Sequence, residues 1–154
     1  QKFREVNGGQ DPVRNFVTLH ENCRLFLHEF WANYQYKHEF NPPHWHGGLY
    51  SFVIWMKIPY SWSEQVQLPQ FQTTKLTDRK AGMFEFEYSD TRGETRSLSY
   101  QLSPDFEGCM CFFPAWMRHA VYPFFDTDEE RVSISGNVWY DTGTPVTKGK
   151  GFGL

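Results

Sequence analysis

The sequence has no run of basic residues. Its 15 Lys and Arg are interspersed with 18 Asp and Glu, and the formal net charge is -3. That pattern predicts neither a nucleic-acid face nor a patch for anionic membranes. Long hydrophobic runs are also missing. The most apolar stretch, Leu49 to Ile58, is too short to span a bilayer and contains Lys57, so no membrane span is expected. No secretory signal is visible at the start; Gln1 is not a natural initiator, so a processed chain or a fragment is expected. Cysteine is scarce: Cys23, Cys109 and Cys111. An odd count without framework spacing argues against a disulfide-stapled domain. Cys109 and Cys111 share one face of a strand, and no further thiol or imidazole flanks them as a zinc site requires. Core packing in a reduced, cytoplasmic setting is the expectation.

Aromatic residues, by contrast, are plentiful at 19%, with 15 Phe, 8 Tyr and 6 Trp. Such residues suit a pleated, half-buried surface and favour β structure. Strand-like segments follow one another with turn signals between them. They run over Arg24 to Tyr36, Leu49 to Ile58, Met83 to Tyr88, Thr95 to Leu102, Gly108 to Phe113, His119 to Phe125 and Arg131 to Tyr140. Asn41-Pro42-Pro43 breaks the chain before the first histidine pair, and Ser61 to Lys80 reads as a long surface loop. No amphipathic helix stands out in the middle or C-terminal part; any helix falls in the first 22 residues, where the signal is weak. The length of 154 residues suits one domain. The expected organisation is one all-β sandwich or barrel over residues 1–140, with its core at about 24–140. Residues 141–154 form a loosely ordered Gly-, Thr- and Lys-rich tail.

Three of the six histidines stand out by spacing. His44-Trp45-His46 is an H-x-H pair. On an extended segment, residues i and i+2 point the same way, so both imidazoles can reach one point. His119 follows 73 residues later at a strand start, and β topology can bring such distant segments together. Imidazole suits Fe, Zn, Cu and Ni. His20, His28 and His38 lack comparable partners and read as structural or solvated.

The residues around these histidines carry a resemblance. Gly108-Cys-Met-Cys-Phe-Phe-Pro114-Ala-Trp-Met-Arg-His119 resembles the G-x5-P-x4-H stretch of cupins and 2-oxoglutarate-dependent oxygenases, where a strand delivers the distal metal histidine. Arg131-Val-Ser133 follows at the spacing of the R-x-S motif that holds the far carboxylate of 2-oxoglutarate. Phe40 to Trp55 resembles 2-oxoglutarate oxygenases of bacterial and phage origin, and the likeness spans roughly residues 24 to 140. It implies a double-stranded β-helix, or jelly roll, of cupin-like architecture. One departure concerns the metal: the usual triad is H-x-D/E with a distal His, and His46 stands in the acid's place. Either the site has three histidines, the favoured reading, or an acid such as Glu85 or Glu87 completes it.

The resemblance further implies Fe(II) held by His44, His46 and His119, with 2-oxoglutarate as cosubstrate. Its far carboxylate would be bound by Arg131 and Ser133. A planar guanidinium can grip a carboxylate with two charge-assisted hydrogen bonds. Asn33 is a further candidate for the cosubstrate pocket, and Trp31, Tyr34, Tyr50, Trp55 and Trp116 are candidate lining residues. The implied reaction is a dioxygenase (hydroxylase-type) oxidation of a small-molecule or peptide substrate, with 2-oxoglutarate converted to succinate. A bland reading of Arg131 is a surface pair with Asp128 or Glu129. Two rival functions are a cupin-type metal enzyme that does not use 2-oxoglutarate and a non-catalytic jelly-roll binding module.

Overall fold

The structure is a computed structural model, in which residues 24–72 and 79–141 are described. Eight strands are found among them: β1 (Arg24–Gln35), β2 (Asn41–His44), β3 (Tyr50–Lys57), β4 (Met83–Ser89), β5 (Thr95–Gln101), β6 (Met110–Pro114), β7 (Arg118–Val121) and β8 (Arg131–Asp141). They form two antiparallel four-stranded sheets, in the orders β1-β8-β3-β6 and β2-β7-β4-β5. The sheets face one another as an all-β jelly roll, as the strand pattern and the resemblance lead one to expect. Neither the weak helical signal of the first 22 residues nor the tail beyond Asp141 falls within the described residues.

Val53 and Trp55 of β3, Phe84 and Phe86 of β4, and Phe113 of β6 meet between the sheets. Ile58, Tyr60, Leu102 and Phe124 close the same cluster. Alternation along the strands puts these side chains inside. Cys111 packs against the cluster, and burial pushes its thiol pKa up. Cys109 is exposed.

The first sheet departs from the usual polar-out pattern. Along β8, Arg131, Ser133, Ser135 and Asn137 face the interior, while Val132, Ile134, Gly136 and Val138 face outward. Gly136 is required there. A Cβ would stand 2.6 Å from the Glu29 carbonyl oxygen and 2.8 Å from the Phe52 ring.

Three segments differ from the sequence reading. Asn41-Pro42-Pro43 is part of strand β2 rather than a break. β2 is an edge strand, and only Asn41 and His44 register with β7, so the missing proline N–H groups cost no ladder bonds. The segment from Ser61 to Lys80 carries two single-turn helices, α1 (Trp62–Gln65) and α2 (Pro69–Gln72). Single turns are too short to show helical periodicity. α1 is also anchored in the interior: Gln65 is fully buried, and its Oε1 accepts from the Phe125 N–H at 2.8 Å. Finally, β7 ends at Val121, short of the expected Phe125, just before Pro123.

Candidate metal centre and its cavity

β2 and β7 pair so that His44 lies directly opposite His119. His46 follows β2, held by its backbone N–H donating to the Ala115 carbonyl at 2.9 Å. Ring centroids are 4.3 Å apart for His44 and His119, 5.0 Å for His46 and His119, and 5.1 Å for His44 and His46. One nitrogen from each ring lies within 4.8 Å of the others. An ion with bonds of about 2.0–2.1 Å to imidazole would draw these donors closer.

The tautomers are set by the backbone. His44 Nδ1 donates to the Pro42 carbonyl at 2.7 Å, and His119 Nδ1 donates to the Met117 carbonyl at 3.0 Å. Each leaves Nε2 with its lone pair free for an ion. His119 is enclosed by Phe84, Phe86 and Phe113. Burial pulls its pKa down from 6.5 to about 4. Burial, aided by His44, also lowers that of His46. Neutral imidazole is the ligating form.

The carboxylates offered as alternative donors are not near this cluster. Phe84 and Phe86 take the inward positions of β4, so Glu85 and Glu87 point to its other face. Glu85 is fully buried there and accepts from Lys80 at 2.8 Å, Ser99 at 2.6 Å and Tyr122 at 3.1 Å. Burial alone would raise its pKa; these three bonds outweigh it and hold the carboxyl below its ordinary value. Glu87 faces Arg118 at 3.4 Å.

The histidines border a cavity of about 590 Å³ that Arg131 also lines. Arg131 is only 5% exposed. Its Nη1 donates to the Tyr60 hydroxyl at 2.8 Å, which donates onward to the Gly82 carbonyl at 2.9 Å. Burial pushes the Tyr60 pKa up and keeps the phenol neutral. Gly82 has φ +66°, and a Cβ there would lie 2.5 Å from the Tyr60 ring, so glycine is what lets the ring seat. The surface pairing of Arg131 does not occur. Asp128 pairs with Lys37 and Glu129 with Lys57. No carboxylate of the described residues forms an ion pair with the Arg131 guanidinium.

Ser133 and Asn33 line the same cavity. Asn33 Nδ2 reaches Ser135 Oγ at 3.1 Å and Ser133 Oγ at 3.5 Å, and the Trp31 indole donates to Asn33 Oδ1 at 3.1 Å. Trp31 also packs on His46, with ring centroids 5.7 Å apart. Of the candidate aromatics, Trp31, Tyr34 and Trp55 border the cavity. Tyr50 does not, stacking instead on Phe112, and Trp116 is 70% exposed. His28 packs between Phe26 and Trp139, and His38 against Phe125; His20 lies outside the described residues.

Sequence reasoning missed Ser135, Asn137 and Tyr60. The first two were visible as polar residues at every second position after Arg131. Asn137 accepts from buried Ser51 at 2.7 Å and donates to Glu29 at 2.6 Å. Tyr60 gives no such signal, because its role depends on a contact across 71 residues.

No curated protein matches the chain. The profile of the family described as "Putative 2OG-Fe(II) oxygenase" matches residues 29–137. That stretch is well over half the chain and takes in all three clustered histidines and Arg131, so the chain belongs to the 2OG-Fe(II) oxygenase family.

Proposed function

We propose that the protein is an Fe(II)- and 2-oxoglutarate-dependent dioxygenase of the hydroxylase type. It would oxidise a small-molecule or peptide substrate while 2-oxoglutarate becomes succinate. The observation that carries this reading is a buried guanidinium, with no carboxylate of the described residues paired to it, in the cavity the three imidazoles border. A buried charge left without a counter-ion costs several kcal/mol (about 3–5 kcal/mol when one partner of a pair is removed). A dicarboxylate between the histidines and Arg131 supplies that counter-ion. A three-histidine enzyme that does not use 2-oxoglutarate, or a binding module without metal, leaves the charge unexplained.

The donor set fits the implied groups. His44, His46 and His119 would hold the ion, two of them through Nε2 because their Nδ1 atoms are engaged with the backbone. Three neutral imidazoles bring no negative charge, which suits an ion whose charge is balanced by an anionic cosubstrate. Arg131 and Ser133 would hold the far carboxylate of 2-oxoglutarate. When bound, iron and 2-oxoglutarate supply the oxidising chemistry, and the protein orients them and limits side reactions.

The chain's own residues do the positioning. Tyr60 fixes the plane of the Arg131 guanidinium, since one of its hydroxyl lone pairs accepts from Nη1 while its proton is committed to Gly82. Asn33 ties β1 to β8 beside Ser133 and is itself oriented by Trp31. Phe84, Phe86 and Phe113 shield His119 from water. A cytoplasmic setting belongs to the same reading, supported by the unpaired thiols of Cys109 and Cys111. No nucleic-acid partner is proposed, given the net charge of -3.

The test is succinate formation from 2-oxoglutarate under air, followed by NMR, in protein reconstituted with Fe(II). Slow turnover without added substrate is expected for the wild type and none for His119→Ala. No succinate from iron-loaded wild type, alone or with extract-derived small molecules and peptides, would refute the proposal.

A further inference from the structure

The three imidazoles are not held alike. His44 and His119 are each fixed by an Nδ1–H bond to a backbone carbonyl. The His46 ring makes no hydrogen bond among the described residues and is oriented by packing, with Trp31 at 5.7 Å between ring centroids.

A carboxylate stands on the same side of β1 as that tryptophan. Glu29 and Trp31 register opposite Asn137 and Ser135, which face the interior. Residues i and i+2 of a strand share a face, so Glu29 is the neighbour of Trp31 on the side from which Trp31 meets His46. Glu29 Oε2 accepts from Asn137 Nδ2 at 2.6 Å, and Asn137 Oδ1 accepts from Ser51 Oγ at 2.7 Å. Asn137 and Ser51 are both buried, so the carboxylate is anchored to the interior of the sheet. Its Oε1 has no hydrogen bond, and Glu29 forms no ion pair, among the described residues. Its charge is nevertheless felt at the ring: burial and His44 lower the His46 pKa, and Glu29 opposes them. The donors that converge are the imidazoles, so Glu29 stands outside the ligand set.

We propose that Glu29 is a positioning residue of the metal centre that acts through His46. It orients the imidazole that no hydrogen bond fixes, and it places beside that ring the negative charge that three neutral histidines lack. A carboxylate behind a metal-bound histidine fixes the ring and raises its basicity as a ligand. The inference rests on the three-imidazole centre of the proposed function but not on 2-oxoglutarate.

Titration with Zn(II) alone, in competition with a chromophoric chelator, tests this. Glu29→Gln keeps an acceptor oxygen for Asn137 and removes the charge. It is expected to bind Zn(II) about tenfold more weakly, the low end of the range for outer partners of metal ligands, because an exposed charge is partly screened. Glu29→Asp should recover part of the loss. In a His46→Asp chain, Glu29→Gln should no longer weaken binding, because the ring it acts on is gone. Should Glu29→Gln not fold, Glu29→Asp carries the test through the same pairing with His46→Asp. Wild-type Zn(II) affinity in Glu29→Gln overturns the proposal. So does an equal loss with and without His46, and so does a wild type that binds no Zn(II). A wild type that binds Zn(II) but forms no succinate when loaded with iron strikes the oxygenase reading alone, and the role of Glu29 is still decided by the titration.

Discussion

Replacing Arg131 with methionine separates two effects that the structure sets in opposite directions. In the ligand-free protein the guanidinium is buried, 5% exposed, with a phenol as its neutral partner. Exchanging a buried charge that forms no ion pair among the described residues for an apolar side chain of similar volume removes a desolvation cost. We expect Arg131→Met to raise ligand-free stability by about 1–3 kcal/mol, within the range seen when buried ionic groups give way to apolar ones. The Tyr60 hydroxyl keeps its bond to Gly82, so little is lost there. Binding of 2-oxoglutarate should change the other way. Two charge-assisted hydrogen bonds at about 1.5–3 kcal/mol each disappear, so affinity should fall by about 10²–10⁴-fold. Urea denaturation of the metal-free protein reads the first effect, and calorimetric titration of 2-oxoglutarate into the anaerobic Fe(II) form reads the second. Arg131→Lys should bind at an intermediate level, with charge but no planar fork. Destabilisation together with wild-type 2-oxoglutarate affinity would refute the reasoning and make Arg131 a purely structural residue.

Three further outcomes follow from the same geometry. The His119 imidazole has a pKa of about 4 in the folded chain against 6.5 ordinarily. Between those values the unfolded chain binds more protons, so metal-free stability is full above 6.5 and is lost as pH falls towards 4, by on the order of 3 kcal/mol. Urea melts at both ends of the window should show a smaller loss for His119→Gln, and equal losses would contradict the assignment. Glu85→Gln leaves Lys80 facing an amide in a buried network and should cost about 1–3 kcal/mol. Elemental analysis should meanwhile find its metal content unchanged, and loss of metal would restore Glu85 as a donor. His46→Ala should weaken metal binding by at least about tenfold, while His46→Asp, which restores a carboxylate at that position, should retain the ion. If neither substitution changes metal affinity, His46 is no ligand.

The strands were legible because alternation is a local property. The run from Arg131 to Asn137 shows polar and apolar residues at successive positions, and that alone sorts them onto two faces. The histidine cluster could be suspected because His44 and His46 share an extended segment, but their meeting with His119 depends on β2 pairing with β7. Two features misled the reading. Prolines 42 and 43 resemble a break unless the strand is known to lie at an edge, which is a property of the whole sheet. Gln65 looks like a loop residue, yet its amide is buried and bonds a backbone N–H sixty residues away. Tyr60 was invisible for the same reason: its contacts to Arg131 and Gly82 exist only after folding. Glu85 and Glu87 were drawn into the metal hypothesis because parity places them on one face of β4, and only the neighbours of that face show that it is the wrong one.

The central claim is that the imidazoles of His44, His46 and His119 and the guanidinium of Arg131 serve one iron and one 2-oxoglutarate. It is tested most directly by adding 2-oxoglutarate to the anaerobic Fe(II) protein and recording the visible spectrum. A metal-to-ligand charge-transfer band that saturates at one equivalent, is absent in His119→Ala and needs far more cosubstrate in Arg131→Met is the expected result. Iron-loaded wild type that takes up no 2-oxoglutarate and develops no band would contradict it.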